Sequence, residues 1–301
     1  MLIESMVQLK ERRSFINERV QAIPRRVLMT KPENFDVVYA INPYMKDAAG
    51  NLKKVDRKQA MIQWQKLKDK YESLGLKAEV VNDELGHPDM VFCANQSLPF
   101  WNYTHNKPAV LMSQMRSEFR QGEVKIYSEW FKKMGYEVYE LSQKNLSLEG
   151  NGDALVHPHR RLIWGGAGPR TDRDVYLEVT TITGHDVILL PLQNPDFYHL
   201  DTCFSILDEK TVVIQPEAFT KESREMIASV FERVIETSIS DCSGYFTGNC
   251  HSPNGKDVIT HQGCKGFESE LKNLGYKVHP VDTTEFMKSG GSVFCMKMMY
   301  F

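Results

Sequence analysis

The chain has 301 residues, 42% hydrophobic and 25% charged, with a formal net charge of −2. Its length allows one large domain or two ordinary ones, and its composition is that of an ordinary globular protein. A charge so near zero supplies no general drive toward nucleic acid or an anionic membrane surface.

The first stretch, Met1 to Gln21, is charged throughout (Lys10, Glu11, Arg12, Arg13, Glu18, Arg19). It lacks the apolar core of a secretory signal. No apolar run in the chain approaches the roughly 18 residues that span a bilayer. Tyr39 to Lys54, with Asn42-Pro43 and Ala48-Ala49-Gly50-Asn51, reads as a flexible loop able to close over a site.

A repeat follows. An amphipathic helix ends in Leu74-Gly75-Leu76, and a Val-bearing strand comes next. Ala60, Trp64, Leu67, Tyr71 and Leu74 recur every three or four residues and form one apolar face. The pattern returns at Met134-Gly135-Tyr136 and at Leu274-Gly275-Tyr276. Glycine there fits the left-handed residue just past a helix end. A shorter relative, Thr183-Gly184 before Asp186–Leu192, keeps the glycine and the strand without an obvious helix, and Glu222–Glu236 reads as another helix. Between them, His157-Pro158-His159 reads as a loop before a strand at Arg161–Trp164. About five strand–helix–strand units emerge, which predicts an α/β fold with helices outside a strand core, in a closed pseudo-symmetric array. One domain over 1–301 is expected.

The six cysteines, at 93, 203, 242, 250, 264 and 295, form no Cys-x-x-Cys. The pattern fits reduced thiols in a cytoplasm. Cys242, Cys250, His251, His261 and Cys264 match no familiar zinc spacing. The segment His251–Thr260 reads instead as a hairpin turning at Asn254-Gly255. No metal or cofactor is expected.

Counting forward from each helix-ending glycine brings polar groups to equivalent places. Asn95 follows Gly75, Glu149 and Asp153 follow Gly135, His199 and Asp201 follow Gly184, and Cys295 follows Gly275. In a closed array these groups converge on one axis. Cys295 also follows Gly290-Gly291, where the missing Cβ lets backbone approach a ligand.

The segments Pro88–Asn95, Leu148–Leu155, Gly166–Thr171, Phe197–Thr202 and Gly290–Cys295 stand in an order that resembles the guanidino-group-modifying enzymes of the pentein fold. These are the arginine deiminases, dimethylarginine dimethylaminohydrolases, arginine dihydrolases and amidinotransferases. The resemblance implies an α/β propeller of about five ββαβ units around a central channel, a small guanidino substrate and a covalent S-amidino intermediate. Cys295 would be the nucleophile and His199 the general acid and base. Glu149 is the first candidate for the guanidinium's donors, with Asp153 and Asp201 beside it. Asp201, two residues on along a strand, would point the same way as His199. Arg170 would hold the substrate carboxylate, Phe92 would pack on the guanidinium, and Asp89 would touch the amino group. Asn95 stands where deiminases and dimethylaminohydrolases commonly carry Asp, and so looks like the dihydrolase branch. An amidinotransferase is the alternative outcome, a non-catalytic binding protein of the same fold a lesser one, and a homo-oligomer is possible.

Overall fold

The computed structural model describes residues 1–20 and 22–301. Helices Arg57–Ser73, Glu118–Lys133 and Lys265–Asn273 each stop just before the glycine of the repeat. Gly75, Gly135 and Gly275 take φ of 82°, 81° and 94°, a region that strains any side chain. In each case the glycine N–H and the next residue's N–H return to the last helical carbonyls, as in Gly75 N to Glu72 O and Leu76 N to Tyr71 O. These are Schellman closures, each with an apolar residue after the glycine. The chain then leaves as a strand at Lys77–Val81, Glu137–Tyr139 and Lys277–Val281.

Two elements differ from expectation. Gly184, with φ of 67°, does end a helix, Val175–Thr183. Its β-branched residues hide the helical preference, and burial of Val175, Tyr176 and Val179 overrides it. The helix expected over Glu222–Glu236 stops at Val230, and Arg233–Glu236 is a strand parallel to Thr211–Ile214. Val234 kept the helical spacing while belonging to that strand.

Five sheets result. In the first, Arg26–Thr30 pairs in parallel with Lys77–Val81 and antiparallel with the distant Met298–Tyr300. The second joins Ser97–Asn102, Lys107–Met112 and Glu137–Tyr139. The third joins Ala154–Val156, Leu162–Ala167 and Asp186–Pro191, with Leu2–Ile3 on its edge. The fourth joins Phe204–Ile206, Thr211–Ile214 and Arg233–Glu236. The fifth pairs Asp257–His261 with Lys277–Val281. Its expected hairpin survives as one antiparallel bridge, His251 to Ile259. Pro253 cannot donate to a longer ladder.

Apart from the edge pairing of Leu2–Ile3 with Asp186–Pro191, each parallel pair is joined by the helix between its strands. Apolar clusters then fill the gaps between sheets. Leu28 and Val81 of the first sheet meet Val110 and Met112 of the second. Leu111 meets Ile163 and Leu189 of the third, and Trp164 and Ile188 meet Phe204 and Val212 of the fourth. Val213 and Ile235 meet Val258 of the fifth, whose Ile259 and Val281 meet Val27 and Met29 of the first. The fold is mixed α/β. Among the described residues no helix is long and apolar enough to cross a membrane. All six cysteines are buried free thiols.

Candidate active site

The polar residues picked out by counting sit just before the first strand of a unit. Asn95 precedes Ser97–Asn102, and Glu149 with Asp153 precedes Ala154–Val156. His199 and Asp201 precede Phe204–Ile206, and Cys295 precedes Met298–Tyr300. The fifth unit contributes Asn249, just before the bridged His251. Sequence reasoning passed over Asn249, although the same position in the repeat marks it.

One small cavity, with about 20 Å³ of free space, is lined by Asp89, Phe92, Asn95, Arg170, His199 and Cys295. That is room for little more than a water. Ile41, Asn42 and Met45 of the 39–54 loop close it on one side. They are pinned there, since Arg170 Nη2 donates to Ile41 O at 2.7 Å and Asn42 Nδ2 donates to Ser289 O at 2.9 Å.

The Cys295 thiol donates to Asp201 Oδ2 at 3.1 Å and accepts from Asn249 Nδ2 at 3.1 Å. Asn249 Oδ1 accepts from the backbone N–H of Ser292, Phe294 and Cys295, so one amide shapes the turn that carries the sulfur. Gly291 completes that turn. A Cβ there would lie 2.3 Å from Phe92 Cε1, so the glycine admits a protein ring, where a ligand was expected. Burial, then the charge of Asp201, pushes the thiol well above its ordinary range, and the resting sulfur is protonated.

His199 Nε2 meets Glu149 Oε2 at 2.7 Å. Glu149 also accepts from Arg170 Nη1 at 3.2 Å and from Arg116 N at 3.1 Å. Burial alone would raise the Glu149 pKa, but the bond to His199 and the charges of His199, Arg170 and Arg120 hold it at about 2. In this state, then, Glu149 spends its oxygens on orienting the imidazole and offers none to the cavity.

Asp153 differs from expectation too. Its oxygens accept from Leu200 N at 2.9 Å and Thr171 Oγ1 at 2.6 Å, so it braces the turn after His199. Burial raises it to about 6. Asp201 does not share a strand face with His199, because Leu200–Thr202 is a helical turn that swings it onto the sulfur. Burial raises it to about 7. Asp89 stands in a helical turn, Pro88–Val91, and not in a strand. Its Oδ1 accepts from Ser289 Oγ at 2.9 Å.

The buried atoms left without partners are informative. Asp89 Oδ2, Asp201 Oδ1 and Asn95 Nδ2 make no hydrogen bond. Two acceptors therefore await donors, as a guanidinium or ammonium would bring. Asn95 does not offer its oxygen, because Oδ1 accepts from Arg120 Nη1 at 2.9 Å. Arg120 is itself buried and spent on Glu123, Asp89 O and Phe92 O. Phe92 lines the cavity and also packs edge-on against Phe35, with ring centroids 5.8 Å apart. Lys297, two residues past Cys295, was also missed. It is 2% exposed, and burial lowers it to about 7 despite Asp201 nearby.

Comparison with known proteins bears on this arrangement. The family described as N,N dimethylarginine dimethylhydrolase, eukaryotic, matches residues 31–301. An N(G),N(G)-dimethylarginine dimethylaminohydrolase of Mycobacterium tuberculosis is 33% identical over 271 residues, 90% of this chain and 84% of that one. The bifunctional arginine dihydrolase/ornithine cyclodeaminase ArgZ of Synechocystis is 33% identical over 276 residues, 91% of this chain and 37% of its own length. A structure of the ArgZ N-terminal domain bound to substrate has a TM-score of 0.83 at 32% identity, covering 91% of this chain and 97% of that one. A dimethylarginine dimethylaminohydrolase adduct with S-methyl-L-thiocitrulline has a TM-score of 0.76 at 20% identity, covering 92% of this chain and 100% of that one, and shares the fold. The resemblance to guanidino-modifying enzymes, carried by five ordered motifs, is borne out along nearly the whole sequence: the chain belongs to the N,N dimethylarginine dimethylhydrolase family.

Proposed function

We propose that this chain hydrolyses the guanidino group of arginine or an arginine derivative at the Cys295 cavity. The observation that carries the reading is one thiol held between Asp201 and Asn249, facing the same cavity as an imidazole fixed by Glu149. An arriving guanidinium would find unpaired acceptors at Asp89 Oδ2 and Asp201 Oδ1. Its positive charge favours the thiolate beside it. The sulfur attacks the guanidinium carbon, and His199 protonates the departing ammonia or amine. A water deprotonated by His199 then attacks the S-amidino carbon. The C–S bond breaks, and a ureido product leaves with the thiol restored. The hydrolytic relatives do not favour the transferase alternative.

Asn95 supports the dihydrolase outcome. With its oxygen held by Arg120, it turns an N–H donor to the site. A donor is mismatched to a guanidinium and matched to a ureido oxygen, so the first product is a suitable second substrate. The family match favours the methylated substrate as a second reading. Incubation with arginine and with N,N-dimethylarginine separates the two. Ornithine from arginine is expected. Citrulline alone would refute the dihydrolase reading, and no turnover of either compound, with Cys295→Ala as control, would refute the hydrolase at this site.

The same reading takes the five sheets as a propeller closed around a central channel, in one domain over 1–301. The order of inter-sheet clusters, from first to fifth and back to first, supports it. It also takes the 39–54 loop as a lid, because the enclosed space is too small for arginine until Ile41 and Met45 move.

A further inference from the structure

A second cavity, about 670 Å³, shares no lining residue with the Cys295 site. Its volume suits a small organic ligand, and its wall is mostly apolar, with Trp101, Leu155 and Ile206 among the contributors. Its charged lining consists of five cations, Arg160, Lys210, Arg233, Lys256 and Lys297, against three carboxylates, Asp208, Glu209 and Glu232. Two of those carboxylates are already engaged, Glu209 by Arg19 and Glu232 by Lys210, each at 2.8 Å.

Lys297 is the feature without a partner. It lines this cavity while being 2% exposed. Among the described residues, its ammonium forms no hydrogen bond and no ion pair within 4.0 Å. It sits on the face of Phe294, 3.1 Å from Nζ to the ring centroid, with the Asp201 charge nearby but beyond ion-pair distance. A buried ammonium with no hydrogen bond and no direct ion pair is costly, and an anion supplied from the cavity removes that cost. His251 beside it is held neutral by burial, and its Nδ1 is bonded to Tyr71 Oη at 3.0 Å. It adds no competing carboxylate.

We propose that this second cavity binds a small monocarboxylate with an apolar body, its carboxylate on Lys297 Nζ and its body against the apolar lining of the wall. The inference does not depend on the reaction at Cys295.

Benzoate and hexanoate, titrated calorimetrically into the intact protein, test it. Saturable binding is expected, with a Kd below about 1 mM. Benzamide, the neutral counterpart, and inorganic phosphate, which lacks the apolar body, should bind at least about tenfold more weakly. Lys297→Gln should weaken benzoate about tenfold or more. Arg170→Gln, which removes one of the two arginines lining the other cavity, should leave it within about twofold. Val156→Trp keeps the ammonium and fills the space, so it should also abolish binding while circular dichroism stays native. The proposal is overturned by absence of saturation to about 10 mM, by equal binding of benzamide or phosphate, or by indifference to Lys297→Gln in a folded variant. Loss of binding in Arg170→Gln in place of Lys297→Gln would assign the carboxylate to the first cavity and overturn it as well.

Discussion

Asp201→Asn should make the resting enzyme more reactive and less useful. The Asp201 carboxylate is 3.1 Å from the Cys295 sulfur and shares its proton. Two full charges at that distance, at an effective dielectric of about 20, repel by roughly 5 kcal/mol, three to four units of thiol pKa. The amide removes that repulsion and leaves the Asn249 donor, which favours thiolate. Burial still opposes ionisation, so a net fall of about two units is expected. The assay is the rate of iodoacetamide alkylation against pH, with Cys295→Ala subtracting the other five thiols. The inflection should move toward acid, and the rate at pH 8 should rise about tenfold or more. Turnover should fall, because Asp201 Oδ1 is one of the acceptors waiting for the substrate. An inflection that stays in place, or moves toward alkali, would refute the coupling.

Other outcomes follow from the same contacts. In the wild type, a bound guanidino ligand that cannot react should lower the same inflection, and no shift on binding would contradict substrate-assisted ionisation. Asn249→Ala strips the acceptor from three backbone N–H groups and the donor from the sulfur. A loss of about 2–4 kcal/mol in denaturant unfolding, with kcat down at least about a hundredfold, is expected. Gly291→Ala drives a methyl into Phe92 and should reduce kcat/KM about tenfold or more while the unfolding transition stays cooperative. Apo stability should peak on the mildly acid side. Asp153 and Asp201, raised to about 6 and 7, contribute stability below the ordinary carboxylate range that is lost as pH rises through those values. Glu149, held at about 2, acts oppositely, and its contribution disappears as pH falls from about 4.5 toward 2. A melting temperature that climbs steadily from pH 5 to pH 8 would refute the upward shifts of Asp153 and Asp201.

Much of the site was legible because the repeat carries it. Gly75, Gly135 and Gly275 announce three helix ends in local chemistry, and between 14 and 20 residues beyond each lies a polar side chain of the candidate site. The helix Val175–Thr183 was hidden because β-branched residues were recruited by packing, which no local signal records. Roles were harder to read than places. Glu149, Asp153 and Asp201 are all acids near a histidine in sequence, yet one orients the imidazole, one braces a turn and one holds the thiol. That division depends on which backbone N–H and which hydroxyl reaches each oxygen. The sequence leaves open which end of the Asn95 amide meets the cavity, and only the fold reveals that Arg120, 25 residues later, takes its oxygen. Lys297 escaped notice because a lysine in an apolar run reads as a strand residue facing water.

The pairing of Met298–Tyr300 with Arg26–Leu28 has a bearing on biogenesis. A ribosome releases the first of these partners some 270 residues before the second is made, and the sulfur rides on the late one. Until that ladder zips, the nascent polypeptide holds Asp201 with no thiol from position 295 beside it. The cavity around Asp201 and Asn249 therefore closes only after that segment joins the first sheet, so chains cut short before position 295 should show no alkylation at this site.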